Sequence, residues 1–217
     1  LTDDGYIVDR DTFASLLPNY AIYGEALYKV PNGPTLKPLK VYSPSYHYYW
    51  AGVDSPAHSS LVLAKLGFQI VDTPEEADVV VLESNRFDAS IFGKKPTLVI
   101  GGEAMQKLEK LGVLAGFDAE KLKGGSDYEG LMKAIIDDQD PLTSGYKKNA
   151  LFYSNSGNWI EKVPSNFKTL MSIASSDYYI AGWWPKNEVL ANKVMAISGE
   201  LLGQPLFVYA GNPTNRQ

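Results

Sequence analysis

The segment Leu98-Val99-Ile100-Gly101-Gly102-Glu103-Ala104-Met105 runs from an apolar strand pattern, through two glycines, into a helical pattern. Tight strand-to-helix turns of this kind present the nucleophile in many α/β hydrolytic folds. Here the residue past the glycines is Glu103, and no Ser, Cys or Thr stands at the turn. A carboxylate in a first helical turn is stabilised by the helix dipole by about 0.3–1 kcal/mol. Glu103 therefore reads either as a first-turn acid or as a catalytic or binding carboxylate. Glu83, at the end of the run Asp78-Val79-Val80-Val81-Leu82, and Asp88 are the other acids near a strand end. A pair drawn from these three could serve glycoside chemistry if the fold holds two of them about 5–9 Å apart.

Ring side chains form the second group. Tyr46-His47-Tyr48-Tyr49-Trp50 follows the first strand pattern, and loops after strand C-termini form the ligand crevice of open α/β sheets. Tyr46, His47, Tyr49 and Trp50 are thus candidates for a sugar- or peptide-stacking surface, the alternative being packing over the sheet end. Trp183-Trp184 lies between Gly182 and Pro185. Adjacent residues on a strand point to opposite faces, so one of these two rings is expected to meet solvent or a partner. Both are candidate binding residues.

Several chemistries are excluded by composition. The chain has no cysteine, which removes thiolate nucleophiles, disulfides and Cys-ligated zinc. Its two histidines, His47 and His58, form no metal motif, and His58 reads as a packing or surface residue. No metal site and no cofactor are expected. A net charge of -5 argues against nucleic acid and anionic membranes as partners, since both select clustered Lys and Arg. No apolar run approaches the roughly 20 residues of a membrane-spanning helix.

The elements that must carry these residues can be read from the pattern. Across 217 residues the hydrophobic fraction is 45%, enough for one large domain without staples. Residues 1–38 are irregular, punctuated by Pro18, Pro31, Gly33, Pro34 and Pro38, with a helical turn possible at Asp11–Leu17. Residues 39–217 form the domain. Strands are expected at Leu39–Ser43, Phe68–Val71, Asp78–Leu82 and Thr97–Ile100, with a turn at Pro74–Ala77. A helix is expected from the Ser55 cap with Pro56 in its first turn, closing at Gly67. Two more are expected, from near Glu103 to Gly112 and over Tyr128–Asp137. The last third alternates strand patterns with turns: Ala150–Tyr153, Phe167–Ala174, Tyr178–Trp183, Lys193–Ser198 and Leu206–Tyr209, with 190–202 ambiguous. The expected fold is a three-layer α/β domain with a mostly parallel, flavodoxin-like sheet, extended by antiparallel C-terminal strands. Val79, Val81, Leu98 and Val99 are expected in its core.

Four stretches carry a family resemblance. The first 112 or so positions, through Gly101-Gly102-Glu103, resemble the class I glutamine amidotransferase-like fold. Asp140-Pro141-Leu142-Thr143-Ser144-Gly145-Tyr146, Tyr179-Ile180-Ala181-Gly182-Trp183-Trp184-Pro185 and Phe207 to Arg216 resemble turns and endings of such domains appended to secreted hydrolases. Taken in order over residues 38 to 216, they look most like the amidotransferase-like domain attached to some bacterial zinc carboxypeptidases. Active amidotransferases of this fold use a Cys at the elbow with a later His, and this chain has neither. The resemblance implies the fold, and the residues deny the activity.

The expectation is a non-catalytic accessory or interaction domain of a secreted bacterial hydrolase, inactive by itself, whose partner is the catalytic domain of a longer polypeptide. A chain opening on Leu1 is read as a processed protein or an excised piece, and the resemblance implies an extracellular or cell-surface location. Two alternatives remain: a carbohydrate- or cell-wall-binding module using the aromatic clusters, and a hydrolase with an unconventional carboxylate pair.

Overall fold

The computed structural model describes residues 38–48, 52–122, 128–154 and 157–212, and the chain divides into residues 1–37 and 38–217. The turn expected at Asp11–Leu17 lies outside the described residues. In chain order the described elements begin with β1 (Lys40–Tyr42), β2 (Tyr46–Tyr48), β3 (Val53–Ser55), helix α1 (His58–Lys65), β4 (Gln69–Val71), β5 (Val79–Leu82), β6 (Thr97–Ile100) and helix α2 (Gly102–Leu111). They continue with β7 (Asp118–Lys121), β8 (Glu129–Ile136), β9 (Asn149–Ser154), β10 (Asn158–Lys162), β11 (Phe167–Ile173), β12 (Tyr179–Trp183), β13 (Val194–Leu201) and β14 (Gln204–Tyr209).

One large sheet runs in the order β12-β8-β11-β13-β14-β6-β5-β1-β4. The ladders joining β4, β1, β5, β6 and β14 are parallel. Counted along the chain, those five strands stand in the order 2-1-3-4-5, which is the flavodoxin-like arrangement. From β14 onward the ladders are antiparallel, as a sheet built of hairpin-joined strands requires. The fold is α/β, a parallel sheet extended by antiparallel strands.

The apolar run of β5 is buried on both sides because the two helices take opposite faces. Val80 and Leu82 pack with Val99 and with Ala104, Met105 and Leu108 of α2. Val81 packs with Val41, Ile100 and Leu63 of α1. The cover is unequal. Val81 and Val99 are buried, whereas Val79 and Leu98 are only half-buried, because on the α1 side an apolar groove of about 580 Å³ runs along the sheet between α1 and the Leu142–Tyr146 turns. The core expectation thus holds for two of the four residues.

Two boundaries shift. Helix α1 begins at His58, since Ser55 is the last residue of β3 and pairs with Tyr46 in the β2–β3 hairpin. Gly67, with φ of 91°, closes the turn after α1 as expected. The larger correction concerns Tyr128–Asp137, read from the sequence as a helix. It is strand β8, whose Gly130, Met132, Ala134 and Ile136 are buried on one face. Tyr128, Leu131, Met132, Ile135 and Ile136 do recur at helical spacing. Pairing with β9, β11 and β12 outweighs that local preference. Gly130 also suits a strand here: a Cβ on it would meet the Tyr179 ring at 3.0 Å.

Candidate functional site

In a flavodoxin-like sheet the crevice lies beyond the strand C-termini, where the order reverses between β1 and β5. The described polar side chains gather there. The loop after β1 supplies Ser43 and Ser45, and the β2–β3 hairpin supplies Tyr46, His47 and Asp54. The start of α1 supplies His58 and Ser59, the end of β5 Glu83 and Ser84, the end of β6 Glu103, and the end of β14 Asn212.

Glu83 is the centre of this group. It is 5% exposed, a burial that an unpaired carboxylate would not tolerate. The Ser59 backbone N–H donates to Oε2 at 2.8 Å, Asn212 Nδ2 donates to Oε1 at 3.0 Å, and His58 Nδ1 lies 3.5 Å from the same oxygen. The Ser59 N–H is one of the donors that a helix start leaves without an intrahelical partner. Glu83 therefore ties together the ends of β5 and β14 and the start of α1. Both of its oxygens are held by groups from other elements, which suits an anchor.

The hairpin is clamped over this anchor. Arg86 reaches Asp54 at 2.8 Å and donates to Ser45 Oγ at 3.2 Å. His47 Nδ1 lies 2.6 Å from the other Asp54 oxygen. The Arg86 guanidinium, and after it the His47 ring, hold the Asp54 carboxyl below its usual range. Tyr46 stacks on His58 with centroids 6.3 Å apart, and its hydroxyl donates to Glu103 Oε1 at 3.5 Å, the outer limit of a hydrogen bond. Tyr46 and His47 therefore join Glu83 and Glu103 in one crevice. The third acid, Asp88, stands exposed before a 3₁₀ turn, Ala89–Ile91, and takes no part in this group.

The elbow itself is filled. Gly101 has φ 82° and ψ 159°, a backbone region that only glycine enters readily. A Cβ on Gly102 would lie 2.2 Å from the Asn158 amide nitrogen. Asn158 is buried on β10 and accepts a hydrogen bond from Gln106 of α2 at 3.3 Å. A nucleophile side chain at either glycine would thus need strained backbone or displacement of Asn158.

The remaining predicted site residues lie elsewhere. Tyr49 and Trp50 are outside the described residues. Trp183 and Trp184 sit at the far margin of the sheet, and they do point apart: Trp183 is 67% exposed, and Trp184 is 3% exposed, stacked on Tyr128. Trp184 is a core residue, so it is removed from the candidate binding surface. Among the described residues no cluster of acids and histidines could hold a metal ion, and no helix is long and apolar enough to cross a membrane. Sequence reading passed over Ser59, Arg86, Asn158 and Asn212, and took His58 for a packing or surface residue. Only Asn212 stood in a motif, just past Gly211 at the end of the last strand. The others are polar residues whose partners on other elements lie 24 to 52 positions away.

No family model matches the chain, and no curated protein sequence matches it. Solved structures do. A protein from Thermoplasma acidophilum assigned as part of a GMP synthase superposes with a TM-score of 0.54 at 16% identity, covering 83% of this chain and 87% of that one. PurLQS from Thermotoga maritima gives 0.53 at 12% identity, covering 82% and 89%. A ThuA-like protein from Parabacteroides merdae gives 0.50 at 12% identity, covering 80% and 79%. At such identities the likeness concerns backbone architecture alone, and it makes this domain one of glutamine amidotransferase-like fold.

Proposed function

We propose that this chain is a non-catalytic accessory domain that keeps the amidotransferase-like sheet and its crevice as a recognition surface. The observation that carries the reading is the elbow at the end of β6. Two glycines stand there, and the Asn158 amide occupies the space a nucleophile side chain would need. The buried carboxylate of the crevice, Glu83, is committed to holding strand ends together. Tyr46, stacked on His58 beside Glu103, offers a ring and polar groups to a peptide or a glycan. The motif resemblance supports a parent of the exported zinc carboxypeptidase type, whose catalytic domain would be the partner and whose site would be extracellular or at the cell surface.

The test has two parts. The chain is expected to hydrolyse neither glutamine nor a C-terminal dipeptide above a no-protein control, since it has no activated nucleophile. Turnover that disappears in Glu103→Ala would overturn the reading. The gene upstream of Leu1 is expected to encode a His-x-x-Glu pair with a later His. A parent without these zinc ligands would remove the carboxypeptidase part of the proposal and leave the accessory part standing.

A further inference from the structure

Strand β12 lies beside β8 on the edge that β8 also gives to β11, β9 taking the opposite edge, and among the described residues its only ladder is with β8. The eight residues Tyr178 to Pro185 carry no charged side chain. Ile180 is 46% and Trp183 67% exposed. An edge of this kind presents main-chain N–H and C=O groups that only another extended backbone satisfies, and native sheets guard such edges with charges or keep them very short. The edge strands β7 and β4 are guarded, whereas β9, on the other edge of β8, is uncharged like β12. Strand β7 has Asp118, Glu120 and Lys121 among its four residues, and β4 has three residues with Asp72 next to it. Strand β12 has neither protection.

Its ends are charged, and oppositely. Asp177 precedes the uncharged stretch and Lys186 follows it; both are exposed and in the left-handed region, with φ of 47° and 62°. When two copies of one strand pair antiparallel about a two-fold axis, the start of each lies beside the end of the other. Asp177 of each copy then comes beside Lys186 of its partner, with the uncharged residues facing one another between them. Parallel pairing would instead set like charges side by side, which costs stability. We infer that the β12 edge is a self-association surface, joining two copies of this chain by antiparallel β12–β12 pairing, with Trp183 of each copy packed across the junction.

Sedimentation velocity over a concentration series reaching about 300 µM decides this, a range that detects dissociation constants up to the high micromolar. The wild-type chain is expected to show a concentration-dependent monomer–dimer equilibrium. Trp183→Lys should weaken it at least about tenfold by charging the edge, while Leu151→Lys on exposed β9 should leave it unchanged. Asp177→Lys and Lys186→Asp should each weaken the dimer, and the double reversal should restore it. Circular dichroism confirms that each variant is folded. A chain monomeric across the series overturns the inference, as does a dimer that ignores both single reversals or is lost in Leu151→Lys.

Discussion

The parallel and antiparallel halves of this sheet solve different problems with one continuous set of hydrogen bonds. The parallel strands that enter the crevice, β1, β5 and β6, are three or four residues long and stop abruptly in polar or glycine residues. All their chains run the same way, so their ends collect on one side, and Glu83, Glu103 and Asn212 meet there. Antiparallel strands reverse direction at each step, so their ends alternate and no such collection arises. Strands β8 and β13 are eight residues long and send fully buried side chains into the core, including Met132, Met195 and Ile197. Polar side chains are thus gathered at one end of the parallel half while buried side chains are spread over both halves, and the contrast follows from strand direction.

This division can be tested from its strongest consequence to its weakest. Met132→Ala on β8 should cost about 2–5 kcal/mol in urea melts, the range for emptying a fully buried Met site. A loss under about 1 kcal/mol would show that β8 is not a core strand. Glu83→Ala should cost about 2–3 kcal/mol, because it leaves the Ser59 N–H and the Asn212 amide without their buried acceptor. An unchanged melt would mean that the crevice is not anchored by this carboxylate.

Tyr209 offers a spectroscopic probe of the parallel half. Burial first, and Tyr146 after it, push its hydroxyl from the ordinary 10.0 to about 12. Folding favours the neutral phenol, so its contribution is complete below pH 10 and is lost as pH rises through about 12. That loss amounts to about 2–3 kcal/mol. Absorbance at alkaline pH should show a tyrosine that ionises late and is absent in Tyr209→Phe. If the variant titrates like the wild type, the phenol is not buried as described.

Cover on the α1 face gives a smaller test. Val99→Ala should cost about 1–3 kcal/mol, and Leu98→Ala should cost less although leucine is the larger side chain, because Leu98 borders the groove. A reversed order would mean that the groove is filled in solution. The smallest effect is expected at low pH. Arg86 holds Asp54 below 3.8 in one half, and Lys168, with the Gln139 N–H, does the same for Asp137 in the other. Both contributions are present above that value and fade as pH falls through the lowered one. Arg86→Met and Lys168→Met should each make the acid limb of the stability curve shallower. Equal limbs in wild type and variants would show that these exposed pairs contribute nothing measurable.

The legible parts of the fold were those where local pattern and tertiary role agree. Val79 to Leu82 and Thr97 to Ile100 are apolar without alternation because helices cover both faces. Gly112 and Gly67 mark helix ends because only a left-handed residue closes those turns cheaply. The opposition of Trp183 and Trp184 followed from strand geometry alone, although which ring is buried did not. Strand β8 was misread because Tyr128, Leu131, Met132, Ile135 and Ile136 fit a helical face, and its partners arrive from as far away as β12. The hairpin of β2 and β3 escaped notice because three-residue strands leave almost no periodicity to read.

The crevice divides in the same way. Sequence by itself determined that no thiolate, no histidine pair with metal spacing and no hydroxyl stands at the elbow, since chemistry needs particular atoms and their absence requires no coordinates. It also marked Glu83 and Glu103 as acids at strand ends and Tyr46 and His47 as part of an aromatic run. Only the tertiary structure decided that Glu83 is an anchor, because the groups that hold it, the Ser59 N–H and the Asn212 amide, are 24 and 129 residues distant in the chain. It alone decided that Asn158 fills the space beside Gly102, that Trp184 belongs to the core, and that β12 is left at an edge. These are outcomes of which strands end up as neighbours, and neighbour choice is set by the summed packing of the whole sheet, a quantity that no window of sequence contains.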